Sequence, residues 1–223
     1  MSSGQLPTSQ RAESVIHKQT PQLKQQLAKS GLKLGTPIFI RIFKQPAQLE
    51  VWLENQQNRQ FQLFKTYPIC YFSGNLGPKL KQGDLQSPEG FYYVRGNQLN
   101  PWSKFHLSFN LGFPNRFDRS HSRTGSALMV HGSCVSIGCY AMTDEYIEEI
   151  YTLAHASLAN GQSYFRVHIF PFHLSGENMH QHQSNHWINY WKNLQQGYQW
   201  FELHKQPPNV EVADKQYIFS QEK

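Results

Sequence analysis

The chain has 223 residues, of which 39% are hydrophobic and 16% charged, and this length fits one domain with a substantial core. The composition excludes an intrinsically disordered chain and a coiled coil. The net charge is +6, but the Lys and Arg residues are scattered and no nucleic-acid motif occurs, so no nucleic-acid partner is predicted. No apolar run of about 18 residues occurs, so no membrane span is expected.

The N-terminal third begins with a polar segment and continues into β-strands. Residues 1–34 are rich in Gln, Ser and Lys and are predicted to be a lead-in, with a helix at residues 21–31. Residues 37–43 and 49–53 alternate β-branched and aromatic side chains around a short turn, which predicts a β-hairpin. Residues 61–72 are predicted to form a third strand.

The middle of the chain alternates between loops and short strands. Glycine and proline mark residues 73–87 as a loop, and residues 112–124 are predicted to be a second loop, rich in Arg. Short apolar or aromatic runs predict strands at residues 90–94, 105–111 and 127–130.

The C-terminal part contains the clearest helix. Thr143 is a predicted N-cap, because acidic residues fill the first turn and apolar residues recur at helical spacing until Gly161. A strand at residues 165–172, a helix at 185–194 and a strand at 209–212 are predicted to follow. Together the elements predict a mainly β domain with a few helices, in the α+β class.

One segment combines residue types that suit nucleophilic chemistry. His131 ends a predicted strand, and Cys139 follows eight positions later with Gly138 directly before it. An imidazole near a thiol can accept its proton, and the thiolate that results is a strong nucleophile. A glycine beside it lets backbone N–H groups approach the oxygen on which negative charge develops. The segment therefore predicts acyl-transfer chemistry, with a buried structural cysteine as the alternative.

Two groups of side chains could instead hold a metal ion. His131, Cys134 and Cys139 could supply three zinc ligands, but their C-x4-C spacing differs from the common C-x2-C pattern. The other group lies in a polar loop and comprises His180, His182 and His186. Histidines in polar loops are more often solvated surface, so the sequence predicts no metal and no other cofactor.

The nucleophile segment resembles a known family. The pattern formed by His131-Gly132 and then Ser136, Gly138 and Cys139 resembles the signature of the L,D-transpeptidase (YkuD-type) catalytic domain. More narrowly, the chain resembles the YafK/DpaA branch of that family. The supporting motifs occur in matching order at residues 35–44, 77–79, 82–84, 87–92, 112–115, 118–121, 131–143 and 207–210.

The resemblance implies a fold, a partner and a compartment. The implied fold is a β-sandwich or barrel-like catalytic domain over residues 35–223, including a C-terminal extension of helix and strand, after the lead-in of residues 1–34. The implied partner is the peptide stem of bacterial peptidoglycan, free or linked to a lipoprotein. We expect a periplasmic monomer, although no signal peptide is visible in the sequence.

The resemblance also assigns roles to single residues. In the family, a cysteine attacks the carbonyl at the L-centre of diaminopimelate and forms a thioester, which an amine or water then resolves. By resemblance Cys139 is the nucleophile and His131 is its general base. Gly132, or a neighbouring backbone carbonyl, is expected to orient the imidazole, while Ser136 and Gly138 shape the nucleophile loop.

The chain departs from the family pattern just after the nucleophile. Members usually carry a substrate-binding Arg two positions after the cysteine, where this chain has Ala141. The difference favours hydrolysis of the link between diaminopimelate and the C-terminal Lys of an attached lipoprotein, with L,D-transpeptidase or L,D-carboxypeptidase activity as alternatives. Arg119, His121, Tyr92 and Tyr140 are the predicted substrate-binding residues, and a salt bridge within its own loop is the alternative for Arg119.

The two remaining cysteines need a separate interpretation. Three cysteines are too few for a disulfide scaffold. In an oxidising periplasm Cys70 and Cys134 could pair, which would leave Cys139 as the one free thiol. A non-catalytic wall-binding module in which Cys139 is structural remains the alternative to an enzyme.

Overall fold

The structure of the protein is a computed structural model that describes residues 5–221. Within these residues it has five α-helices and twelve strands, which confirms the predicted α+β class. The helices are α1 (Gln10–Lys29), α2 (Arg116–Ser120), α3 (Asp144–Ala159), α4 (Gly176–Gln181) and α5 (Ile188–His204). The strands are β1 (Ile38–Phe43), β2 (Gln48–Glu54), β3 (Phe61–Pro68), β4 (Tyr71–Phe72), β5 (Gly90–Arg95), β6 (Leu99–Asn100), β7 (Ser108–Asn110), β8 (Met129–His131), β9 (Tyr140–Ala141), β10 (Tyr164–Phe170), β11 (Asn209–Ala213) and β12 (Gln216–Ser220).

The first sheet has the strand order β3-β2-β1-β10-β5. The predicted hairpin of β1 and β2 is confirmed, with Ile38 paired to Leu53 and Phe43 to Gln48. β1 is parallel to β10, and the other pairs of this sheet are antiparallel. The predicted strand at residues 61–72 is wrong in its length, because pairing with β2 stops at Pro68 and the chain then enters β4 of the second sheet.

The second sheet has the strand order β4-β9-β8-β7-β6 and consists of short strands. Its central strands β8 and β9 are parallel neighbours, in which Val130 pairs with Tyr140 and His131 with Ala141. The chain between them is the nucleophile loop, residues 132–139. This short crossover therefore brings both ends of the nucleophile segment to adjacent strands.

Two layers cover the faces of β1 and explain why all six of its residues are buried. Ile38, Ile40 and Ile42 belong to the main core, which is shared with the second sheet and α3. Phe39 and Phe43 lie on the opposite face, where Phe39 contacts the ring of Phe201 in α5 at a centroid distance of 4.7 Å. Side chains alternate along a strand, so one strand serves both layers.

The N-terminal lead-in contributes to the domain more than the sequence indicated. α1 begins at Gln10 rather than at residue 21, because the hydroxyl of Ser9 caps it by accepting a hydrogen bond from the Ala12 N–H. Val15, Leu23 and Leu27 of this helix are buried in the main core. The boundary at residue 35 stays a prediction.

The C-terminal part contains elements that the sequence analysis missed or shortened. The helix predicted at residues 185–194 extends to His204, and β12 pairs with β11 in a hairpin. The predicted loop at residues 112–124 contains α2, which begins where Asn115 and Asp118 cap each other's backbone N–H groups. None of the helices in residues 5–221 combines the length and hydropathy that a membrane crossing requires.

Candidate active site

The parallel pairing of β8 and β9 places the candidate nucleophile next to the candidate base. Cys139 directly precedes β9 and lies level with Met129, whose backbone N–H donates to Sγ at 3.4 Å. His131 lies two positions further along β8. Side chains alternate along a strand, so His131 and Cys139 share the face opposite the buried side chains of Val130 and Tyr140.

The His131 ring is buried and fixed in one orientation. Its Nδ1 lies 2.6 Å from the Gly132 carbonyl oxygen, which can only accept, so Nδ1 carries the proton and Nε2 keeps its lone pair. The ring of Phe105 packs on it at a centroid distance of 4.8 Å. Burial lowers the pKa of His131, and the hydrogen bond to Gly132 partly opposes this shift. The imidazole is therefore neutral near pH 7 and able to accept a proton.

The thiol of Cys139 is half-buried, and its hydrogen bond goes to the backbone rather than to the imidazole. It donates to the Ala127 carbonyl at 3.7 Å, and among the hydrogen bonds of the described residues none joins Sγ to His131. Burial raises the pKa of the Cys139 thiol, while the Met129 N–H and the charge of Lys79 act to lower it. The resting nucleophile is thus the thiol, and the thiolate has to form as the proton leaves.

Hydroxyl groups hold the backbone of the nucleophile loop. The Ser136 hydroxyl donates to the Cys139 carbonyl at 2.8 Å and accepts from the Gly138 N–H at 3.1 Å. Ser87 donates to the same carbonyl at 3.1 Å from a distant part of the chain. Gly138 has a φ of +145°, which a side chain would strain. Ser136 and Gly138 therefore contribute to the backbone conformation of the loop.

Gly132 occupies a position with no room for a side chain. A Cβ there would lie 2.5 Å from Oδ1 of Asp144 and 3.1 Å from the His106 Cβ. The same Asp144 oxygen accepts a hydrogen bond from the Ser133 N–H at 2.8 Å. This tight junction with the start of α3 fixes the carbonyl that orients His131.

Cys70 and Cys134 form a disulfide, with 5.3 Å between their Cα atoms, which is the pairing that the sequence analysis considered but left open. Of the three cysteines, all in the described part of the chain, Cys139 is the free one. The disulfide ties the nucleophile loop to the segment between β3 and β4. It also takes Cys134 out of the zinc set considered from the sequence.

Two histidines of the second candidate metal group pack against different aromatic rings. His182 stacks on Phe172 at 4.2 Å, and His186 packs on Trp187 at 4.5 Å. Within residues 5–221, no group of three or more His, Cys, Asp or Glu side chains could hold a metal ion.

Two of the predicted substrate-binding residues are buried instead. Tyr92 is 2% exposed and donates to Oδ2 of Asp118 at 3.0 Å, and Tyr140 is 0% exposed and donates to the Pro88 carbonyl at 2.7 Å. Their hydroxyls are used inside the protein, so the expectation of substrate contact is wrong for this structure.

Arg119 and His121 lie at the exposed end of α2. The Arg119 guanidinium donates to the Pro114 carbonyl rather than pairing with Asp118. Asp118 is paired with Arg123 at 2.8 Å, so the salt bridge considered for Arg119 is wrong. His121 stacks on the ring of Phe117, and substrate binding by Arg119 and His121 stays a prediction.

The sequence analysis missed the contribution of the loop at residues 73–87. This loop supplies Ser73, Ser87 and Lys79, and the charge of Lys79 acts on the Cys139 thiol. The signal was present in the Gly-Pro-Lys motif at residues 77–79, which the sequence analysis used only to support the family resemblance.

Comparisons with known proteins identify a matching family, a similar sequence and similar solved structures. Residues 38–169 match the YkuD family of L,D-transpeptidase catalytic domains. The chain is 44% identical over 187 residues to "Putative L,D-transpeptidase YafK" of Escherichia coli (strain K12), covering 84% of this chain and 75% of that protein. Among solved structures, the helical cell shape determining protein Pgp2 from Campylobacter jejuni aligns with a TM-score of 0.48 and 17% identity over 85% of this chain and 79% of that chain. Bdellovibrio bacteriovorus Bd1075 aligns with a TM-score of 0.45 and 17% identity over 80% of this chain and 78% of that chain. The family match and the 44% identity show that the chain belongs to the L,D-transpeptidase catalytic domain family.

Proposed function

We propose that this member of the L,D-transpeptidase family is a cysteine hydrolase that acts on the peptide stem of peptidoglycan at the L-centre carbonyl of diaminopimelate. One observation carries the proposal: the free thiol of Cys139 lies at the β8–β9 crossover beside a neutral imidazole whose Nδ1 is held by Gly132. That arrangement leaves the Nε2 lone pair of His131 to accept the thiol proton.

The first half of the reaction forms a thioester. The Sγ–H proton of Cys139 passes to Nε2 of His131, and the sulfur electron pair forms a C–S bond to the substrate carbonyl carbon. The C–N bond to the leaving amine then breaks, and the imidazolium gives that amine its proton. Throughout, Nδ1 keeps its hydrogen bond to the Gly132 carbonyl, which stabilises the ring in both protonation states.

The second half uses water. A water molecule gives one proton to Nε2 of His131, and its oxygen bonds to the thioester carbon. The C–S bond breaks and the proton returns to Sγ, which regenerates the thiol. The net reaction adds one water, so that an amide becomes a carboxylic acid and an amine.

The residue beside the nucleophile favours hydrolysis over cross-linking. Ala141 is fully buried and pairs with His131 across β8 and β9, where the usual family arginine would carry a charge. Without that cation the site holds a second, amine-bearing stem less well. We propose the bond between diaminopimelate and the C-terminal Lys of a covalently attached lipoprotein as the substrate, and the periplasm as the place of action.

The decisive test compares Cys139→Ala and Cys139→Ser with the wild type on lipoprotein-linked muropeptides. We expect product release to fall by at least about 1,000-fold in both variants, because neither offers a thiolate. Circular dichroism and thermal unfolding serve as controls for an intact fold. Unchanged turnover in the alanine variant would defeat the proposal.

Transfer is the second candidate, because an amine can resolve the same thioester. Incubating the protein with disaccharide tetrapeptides and separating the products by mass spectrometry distinguishes the two outcomes. Cross-linked dimers would indicate transpeptidation. Shortened stems, or Lys-bearing peptide released from lipoprotein-linked material, would indicate hydrolysis.

A further inference from the structure

The loop at residues 73–87 packs directly on the nucleophile loop. Ser73 donates to the Ser136 hydroxyl at 3.2 Å, and Ser87 donates to the Cys139 carbonyl at 3.1 Å. These contacts connect the loop at residues 73–87 to the nucleophile loop. The loop at residues 73–87 is not part of the signature that contains His131 and Cys139. A charge on this segment can therefore act on the reacting sulfur if it lies near these contacts.

Lys79 is the buried cation of that loop. Its side chain is 4% exposed and pairs with Oδ1 of Asp84. Its Cε lies 2.9 Å from the point that a Cβ on Gly125 would occupy, so the lysine stem lies against the segment 125–127. Ala127 of this segment accepts the hydrogen bond from the Cys139 thiol. Lys79 and the nucleophile thus contact the same short piece of backbone, at Gly125 and Ala127.

Asp84 pairs with Lys79 and is itself fixed by hydrogen bonds from backbone N–H groups. Its Oδ2 accepts hydrogen bonds from the backbone N–H groups of Leu80 at 2.8 Å and Lys81 at 3.0 Å, and its Oδ1 accepts from Gln86 at 3.2 Å. These backbone dipoles stabilise the carboxylate and fix the position of the lysine ammonium.

We propose that Lys79 is a positioning residue for the nucleophile, because its buried ammonium, packed against the backbone segment that accepts the thiol hydrogen bond, stabilises the negative charge that forms on Cys139. The charge of Lys79 opposes the effect of burial on the thiol. This proposal rests on the proposed function only in one respect, namely that the thiolate of Cys139 is the catalytic nucleophile.

Several titratable groups lie on the elements that pack against the nucleophile loop. They are Lys79 and Asp84 from the loop at residues 73–87, His131 from β8 and Asp144 from the start of α3. The negative charges of the Asp84 and Asp144 carboxylates cannot favour a thiolate, and His131 is neutral near pH 7. A positive charge from Lys79 is therefore what favours the thiolate in this set.

The test is the pH dependence of Cys139 alkylation by iodoacetamide, measured on oxidised protein. The Cys70–Cys134 disulfide leaves Cys139 as the single free thiol, so the profile reports one group. We expect Lys79→Met to move the profile to higher pH and to slow alkylation at pH 7 by about three- to tenfold. Lys79→Arg should restore the rate to within about twofold of the wild type.

Lys81→Met is the matched control, because Lys81 is an exposed lysine two positions away in the same loop. Its profile should coincide with that of the wild type. A Lys79→Met profile that also coincides with the wild type, in folded protein, would overturn the proposal.

Asp84→Asn decides the question if Lys79→Met does not fold. The asparagine keeps an oxygen for the backbone N–H groups but removes the negative charge, so the alkylation profile should move to lower pH. A profile that stays in place or moves to higher pH would overturn the proposal. Alkylation requires no substrate, so this outcome is independent of the turnover that tests the proposed function.

Discussion

Two buried histidines in different sheets show what separates a reactive side chain from a packed one. His131 at the end of β8 is 2% exposed, and His168 in β10 is 1% exposed. Burial lowers the pKa of both imidazoles, and that of His168 falls well below its usual value. Burial alone therefore makes both rings neutral bases near pH 7.

The surroundings of the two rings differ in hydrogen bonding. Nδ1 of His131 donates to the Gly132 carbonyl, whereas Nδ1 of His168 has no hydrogen-bond partner within residues 5–221. His168 lies between the rings of Phe39 and Phe91, at 4.7 Å and 4.6 Å. The Gly132 carbonyl thus fixes the tautomer of His131, because it keeps the proton on Nδ1 and leaves the lone pair on Nε2. In the part of the chain that the structure describes, Nδ1 of His168 has no such partner to fix its tautomer.

The largest loss of turnover should come from removing the general base while keeping the hydrogen bond to the Gly132 carbonyl. In His131→Asn the side-chain amide can still donate to the Gly132 carbonyl, but the Nε2 lone pair is lost. We expect turnover of lipoprotein-linked muropeptides to fall by about 1,000-fold, with stability changed by less than about 1 kcal/mol. His168→Phe is the matched control and should keep turnover within about twofold. Equal losses in the two variants would break the comparison.

A smaller loss of turnover should come from disturbing the Gly132 carbonyl while keeping the imidazole of His131. In Gly132→Ala the new Cβ would meet Oδ1 of Asp144 at 2.5 Å, so the carbonyl that holds His131 must shift. We expect turnover to fall by about 10- to 100-fold and stability by about 1–3 kcal/mol, measured by steady-state kinetics and urea unfolding. A variant that unfolds more easily yet turns over at the wild-type rate would show that the carbonyl does not orient the ring.

The smallest effect concerns the acid stability of the fold. The folded-state pKa of His168 is lowered, so below about pH 6.5 the unfolded chain binds a proton that the folded chain does not. Stability from this group is complete above that pH and falls by about 1.4 kcal/mol for each pH unit below it. His168→Phe should reduce the slope of unfolding free energy against pH between 6.5 and 5 by about one proton. An unchanged slope would mean that His168 is protonated in the folded state.

The sequence predicted the parts of the fold that depend on local signals. The β1–β2 hairpin and the Thr143 cap of α3 are set by alternation, turn residues and a capping side chain, and both are confirmed. α1 was predicted too short, because its polar Gln and Lys residues hide a stripe of buried apolar side chains that only packing on α3 reveals. The strand predicted at residues 61–72 breaks after Pro68 because the chain changes sheets, which no local pattern signals.

The residues of the candidate site also fall into those that local sequence signals reveal and those that only the tertiary structure reveals. Cys139, His131 and the two flanking glycines lie in one contiguous motif, so the sequence could name them. Lys79 is far from that motif in sequence, and only tertiary packing brings it against Gly125, near the segment that the Cys139 thiol contacts. Buried positions such as Tyr92 looked like surface candidates, because a tyrosine in a strand gives no sign of which face it lies on.

The disulfide has a consequence for how an active molecule is made. Three cysteines can pair in three ways, 70–134, 70–139 and 134–139, and only the first leaves Cys139 free. A chain that oxidises before β8 and β9 have paired has two ways to consume its own nucleophile. The order of folding and oxidation therefore determines what fraction of newly made chains can react, and a thiol–disulfide isomerase would act on this protein as an activator.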